Sequence, residues 1–309
     1  MNRYDDFRPD VPRLLAEQDA RLRAKPPGAR SGDGLGLLGR GWSRLRLYGL
    51  GLLVLTGWHR ALTYANLRLH WFDEFQRYWV GELGNRPLHP HDFFYLFGVY
   101  RQRLQSIAPD LSTDAAHLAS WRNHRIVYYL FGHTYRQALS PLRVQHYARF
   151  LRRRARIAEY GCGAAPVVTA LARHYRHLDL ALVAADIPHL LFHFVRWRFR
   201  DTPYVSVIPI VPDDDTPLAG RYDVVFCLEV LEHVPRPLAV LRHFLDVLEP
   251  GGVLVFDYVK SEGTYLDSAT SLQERDEALR FVLDHFDVVE GHVPTDGSHV
   301  QPTVVRKRS

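Results

Sequence analysis

Residues 157–166, IAEYGCGAAP, carry an apolar run into a pair of glycines and then a proline. The run reads as the first strand of a parallel sheet, the glycines as a tight turn and the proline as the start of a crossover helix. Gly161 and Gly163 let the backbone approach a ligand closely where any Cβ would collide, and Pro166 opens a helix without losing a needed N–H. Outward from this stretch, short apolar runs alternate with helical segments. ARIAEYG, LALVAAD, YVSVIPIV, YDVVFCL and GGVLVFDYV read as five strands, with DVVEGHV and TVVRKR supplying two more. PVVTALARHY, HLLFHFVRWRF, RPLAVLRHFLDVLEP and SLQERDEALRFVLDHF read as helices. The expected fold is α/β: a Rossmann-like, seven-stranded and mostly parallel sheet with helices on both faces, preceded by an all-helical module.

In an open parallel sheet, ligands bind beyond the carboxyl ends of the strands, where the strand order reverses, so the glycine turn is placed to hold a cofactor. A P-loop would need a lysine after the turn, and there is none. A dinucleotide fingerprint would need a third glycine at position 166, where this chain has proline. Glu159, two residues before Gly161, would sit close to a pyrophosphate, but it suits a cofactor with a cationic or amino-bearing tail.

IAEYGCGAAP, then AADIPH, then YDVVFCLEVLEHVPRPLAVLRHFLDVLEPGGVLVF together resemble a class I S-adenosylmethionine-dependent methyltransferase over residues 150–309. Ala165 departs from that pattern, which usually has a third glycine there. The resemblance implies S-adenosyl-L-methionine as cofactor and assigns roles residue by residue. Glu159 organises the turn near the methionine end, and Gly161, Cys162 and Gly163 pass beneath the cofactor. Asp186 accepts hydrogen bonds from both ribose hydroxyls, a task that suits a carboxylate. Ile187 packs on the adenine, and Asp213 or Asp214 reaches its amino group. Cys227, which closes the fourth strand, is counted with the cofactor-binding residues.

The segment CLEVLEHVPRP places Glu229, Glu232 and His233 at i, i+3 and i+4, which on a helical turn would share one face. Two carboxylates and an imidazole could hold Mg²⁺, Mn²⁺ or Zn²⁺ and so position an acceptor hydroxyl. The wording is similar to that of quinone-biosynthesis O-methyltransferases and also of small-RNA 2′-O-methyltransferases. Without metal, His233 is the candidate general base, since an unperturbed imidazole titrates near working pH.

Composition sets the frame. At 309 residues, 47% hydrophobic and 24% charged, the chain can build a substantial core and is not a mostly disordered one. Basic residues outnumber acidic ones 22 to 12 over residues 1–152, and acidic outnumber basic 22 to 17 over 153–309. That asymmetry suggests modules with different partners. Residues 1–34 read as an N-terminal segment and linker, 35–152 as a helical acceptor-binding cap rich in aromatic residues, and 153–309 as the cofactor domain. DFFYLFGVYRQRLQSIAP has Asp92 as its N-cap, and residues 112–139 and 140–154 each read as a helix.

The apolar run LYGLGLLVLTGW is too short to span a membrane but, with the arginines of residues 40–60, could touch a membrane surface. The two cysteines are too few for a disulfide framework, and the acid-bearing start MNRYDDFRPD does not read as a signal peptide, so a cytoplasmic protein is expected. The expected activity is O-methylation of a small aromatic or apolar metabolite. RNA or tRNA methylation and a non-catalytic cofactor-binding module are the alternatives. The scatter of basic residues, outside RFLRRRAR at 149–156, counts against nucleic acid as a partner.

Overall fold

A computed structural model describes residues 70–106, 113–121, 126–137, 140–211, 214, 216–260 and 267–308, together with Leu52 and Thr56. The linker at 1–34 and nearly all of the 40–60 segment expected to touch membranes lie outside the described residues. Among those described, no helix is long and apolar enough to cross a membrane.

The chain divides into two compact units. The first contains helices α1 (His70–Gln76), α2 (Pro90–Ser106) and α4 (Ile126–Gln137), with a π-helical turn at Arg77–Glu82. Its core is aromatic. Trp71, Phe75, Phe93 and Phe131 are buried and meet mostly edge-on or tilted, as ring quadrupoles prefer. Asp92 is not the N-cap of α2. The helix begins at Pro90, and the Asp92 carboxylate reaches back to accept the His89 N–H at 3.3 Å. An acid at the third position serves an orphan donor as a capping box does.

The second unit contains α3 (Asp114–Trp121), α5 (Ser140–Tyr147) and everything that follows. Residues 112–139, expected as one helix, therefore form two, α3 and α4, which belong to different units. Their apolar faces serve different ends: Leu130 and Phe131 enter the aromatic core, while Trp121 faces histidines of the second unit. The expected helix at 140–154 stops at Tyr147 and ends in a short 3₁₀ turn, Ala148–Phe150.

The seven expected strands all form: β1 (Arg156–Tyr160), β2 (Ala181–Asp186), β3 (Val205–Pro209), β4 (Tyr222–Cys227), β5 (Leu248–Tyr258), β6 (Phe286–Glu290) and β7 (Val300–Lys307). They join one sheet in the order β3-β2-β1-β4-β5-β7-β6. The first five are parallel, and β7 runs antiparallel to both β5 and β6. Leu248–Pro250, expected in the preceding helix, instead opens β5.

Alternation along the strands feeds two cores. Ala158, Tyr160, Leu254 and Phe256 pack on one face with α8 (Pro237–Val247) and α9 (Ala269–His285). Ile157, Val253 and Val255 pack on the other with α5, α6 (Pro166–His174) and α7 (Leu190–Phe199). Strand order reverses at β1, which pairs with β2 on one side and β4 on the other. The residues after these three strands therefore converge on one crevice.

Candidate functional site

Two buried acids shape the turn after β1. Both Glu159 oxygens accept backbone N–H groups at the start of α6, from Val167 at 3.1 Å and Val168 at 2.8 Å. One carboxyl thus serves orphan donors of a helix N-terminus, where the dipole also favours negative charge. Asp186, the last residue of β2, receives the Gly163 N–H at 2.5 Å on Oδ2 and the Ile187 N–H at 2.7 Å on Oδ1. The loop after β2 is thereby tied to the loop after β1.

Gly161 has a φ of +64°, and an added Cβ would run into both methyl groups of Val230, which follows β4. The close approach at Gly161, expected toward a ligand, is made to a neighbouring loop of the protein instead. Ala165 takes the left-handed conformation, φ 52°, at the N-cap of α6. That geometry costs a non-glycine residue about 1–2 kcal/mol, and it stands where the sequence pattern lacks its third glycine. Cys162 and Cys227 are both buried on opposite faces of the sheet, and burial pushes each thiol well up. They are not a reactive pair.

Glu229, Glu232 and His233 do not share a helical face. Glu229 stands before the helical turn with φ 56°, and Leu231–His233 form a 3₁₀ turn, whose tighter winding breaks the i, i+3, i+4 alignment. Glu232 is buried, and its Oε2 has no hydrogen-bond partner among the described residues. His233 stays partly exposed, its Nε2 3.8 Å from Glu232 Oε1. The Glu229 N–H is held at 2.6 Å by Asp257, a buried acid at the end of β5. No cluster of three or more potential ligands able to hold a metal occurs among the described residues. Asp214 is exposed and closes a turn by accepting the Thr216 N–H at 2.9 Å, while Asp213 lies outside the described residues. Ile187 is partly buried and packs at the margin of the core beneath α8.

Several side chains of this site were not singled out in the sequence. His189 caps α7, its Nδ1 accepting the Phe192 N–H at 3.0 Å, with Nε2 facing Asp186 Oδ1 at 3.5 Å. A histidine three residues after the β2 acid, just before a helix, is the cue that could have found it. Arg198 of α7 donates to the Ala164 carbonyl at 2.6 Å and to Thr169 at 2.9 Å, bracing the glycine turn from outside. Trp121 rests near both His189 and His233, and only the fold reveals that.

The crevice is rich in buried carboxyls. Burial pushes Glu159 up to about 8, against the pull of its two backbone donors. Burial, followed by the charges of Asp257, Asp267 and Glu229, pushes Glu232 up to about 8. Burial also raises Asp186, opposed by His189 and by the Gly163 and Ile187 amides. An acid whose folded value lies above its ordinary 4.5 binds its proton more tightly in the folded chain. The stabilisation is thus complete below about 4.5 and is lost as pH rises to about 8. Thermal stability should fall from pH 5 to pH 8 and then level. Glu232→Gln should flatten part of that fall and raise stability at pH 8 by a few kcal/mol. Melts across this range check it, and an identical slope in the variant would exclude Glu232 as a source.

A glycine turn and an acid-tipped second strand meet at the reversal point of a seven-stranded sheet. This defines a Rossmann-like domain of the methyltransferase type. The family model described as "Methyltransferase domain" matches residues 131–295. The ubiquinone biosynthesis O-methyltransferase of Xanthomonas campestris pv. campestris (strain B100) is 36% identical over 123 residues, covering 38% of this chain and 48% of that protein. The protein of the same description from Bordetella avium (strain 197N) is 35% identical over 127 residues, covering 38% and 49%. The chain spans about half the length of the curated relatives it matches. A methyltransferase structure from Pyrococcus furiosus aligns at a TM-score of 0.38 and 14% identity, over 55% of this chain and 83% of that one. The chain belongs to the methyltransferase domain family, within the class that uses S-adenosylmethionine.

Proposed function

We propose that this chain is an O-methyltransferase that takes its methyl group from S-adenosylmethionine and acts on a hydroxyl of a small aromatic or apolar metabolite. The observation that carries the reading is Asp186. Its carboxylate is buried at the reversal point and fixed by the Gly163 and Ile187 amides. A carboxylate offers about four lone-pair directions, so two backbone donors leave room for the two hydroxyls of a ribose.

The donor set fits the cofactor: the Asp186 carboxylate offers acceptors to ribose hydroxyls, and the neighbouring buried acids Glu159 and Glu232, held up to about 8 and so largely neutral near pH 7, present no positive charge to a sulfonium. When bound, S-adenosylmethionine supplies a methyl group already activated on sulfur. The protein's share is to orient and to exclude water. Asp186 fixes the ribose, the turn at Gly161–Gly163 forms the floor, and Glu159 keeps α6 in place beneath that floor. His233, partly exposed beside the crevice, takes the proton from the acceptor hydroxyl. The naming of the relatives for ubiquinone biosynthesis supports a phenolic or quinol acceptor.

Calorimetric titration of the full chain with S-adenosylmethionine and, separately, NAD⁺ tests the donor. Radiolabelled methyl transfer to a panel of phenols and quinols then tests the acceptor class. Micromolar binding of the first cofactor alone is expected, with label on an acceptor oxygen. A folded protein that ignores S-adenosylmethionine would overturn the proposal.

A further inference from the structure

Trp121 is the last residue of α3 and lies in the same compact unit as the sheet. Its ring centroid is 6.5 Å from that of His189 and 5.4 Å from that of His233, at tilts of 36° and 59°. His189 follows β2 and His233 follows β4, the two strands that flank β1. Strands two places apart in a sheet are separated by about 10 Å. One indole within reach of rings on both sides therefore bridges the loops that follow β2 and β4, the two strands beside β1.

The histidine on the β2 side is itself fixed. Its Nδ1 accepts a backbone N–H from α7, so the proton is on Nε2, which faces the Asp186 carboxylate. Indole, imidazole and carboxylate thus form a connected series from Trp121 through His189 to Asp186. Trp121 is only partly buried, so part of its large flat ring stays accessible.

We propose that Trp121 roofs the donor crevice and packs against the bound donor, making it a positioning residue of the site. This rests on the donor reading above. The roof excludes water from the donor and couples its seating to the loops after β2 and β4.

The test compares the full wild-type chain with Trp121→Phe and, as a control on α7, Trp197→Phe. S-adenosylhomocysteine is the probe, followed by calorimetry, by tryptophan emission and by acrylamide quenching. Wild type and Trp197→Phe should show a change in emission and weaker quenching on binding. Trp121→Phe should lose most of both responses, with an unaltered melt showing that it is folded. Calorimetry should show weaker binding in that variant, and an affinity equal to wild type overturns the positioning role. A Trp121→Phe protein that responds as wild type does overturns the inference. Heat without any emission response in wild type also overturns it but leaves the donor reading standing. No heat in folded wild type sinks both.

Discussion

Asp186→Ala is expected to weaken S-adenosylmethionine binding by roughly 100-fold while leaving a folded protein. Hydrogen bonds to a charged acceptor contribute about 1.5–3 kcal/mol each, so losing two from a buried carboxylate exceeds the roughly 2.7 kcal/mol that a 100-fold change represents. The same substitution strips the Gly163 and Ile187 amides of their acceptor, so some stability is lost as well. Asp186→Asn separates the two effects. It keeps one oxygen for a backbone donor but turns an NH₂ group toward the other, so it should fold better than alanine and still bind poorly. Calorimetry and a thermal melt on both variants give the answer. Unchanged affinity in either folded variant would remove Asp186 from the donor site and with it the strongest support for the proposed function.

His233→Ala should lower kcat by about 100-fold, the low end of what a positioned general base contributes, with donor affinity changed by less than about threefold. The reason is geometric. His233 follows β4 on a 3₁₀ turn and keeps an exposed edge, whereas Glu232 beside it is buried; Glu229 is exposed too but stands before that turn on a left-handed backbone. Of the two ionisable groups on the turn, the imidazole has the better access to an acceptor. The check is kcat and KM with a phenol or quinol that proves active. A fall of less than about threefold would mean that the acceptor ionises without help, leaving the protein to align it.

Much of the sheet could be read from the chain. Runs such as YDVVFC and GVLVFDY are apolar on both faces, and a strand covered by helices on both sides demands that. Spacing likewise singled out Gly161 and Gly163, because a tight turn accepts few residue types, while the family resemblance pointed to Asp186; Glu159, read as lying beside a cofactor, instead holds the start of α6. Boundaries were harder. Leu248–Pro250 continues a helical pattern yet pairs as strand, since Leu248 meets Tyr222 across β4. The metal reading failed for a related reason: i, i+3, i+4 spacing implies a shared face only on an α-helix, and the backbone at Glu229 is left-handed.

By itself, then, the sequence determined the α/β fold, the seven strands and the glycine turn, because local periodicity and backbone sterics act over a few residues. Only the tertiary structure could decide what those residues meet. It put Val230 against Gly161, Arg198 against Ala164, and Trp121 beside both His189 and His233. These partners are separated by 34 to 112 residues along the chain. Pairing at such distances follows from the order in which strands enter the sheet, and no short stretch of sequence encodes that order.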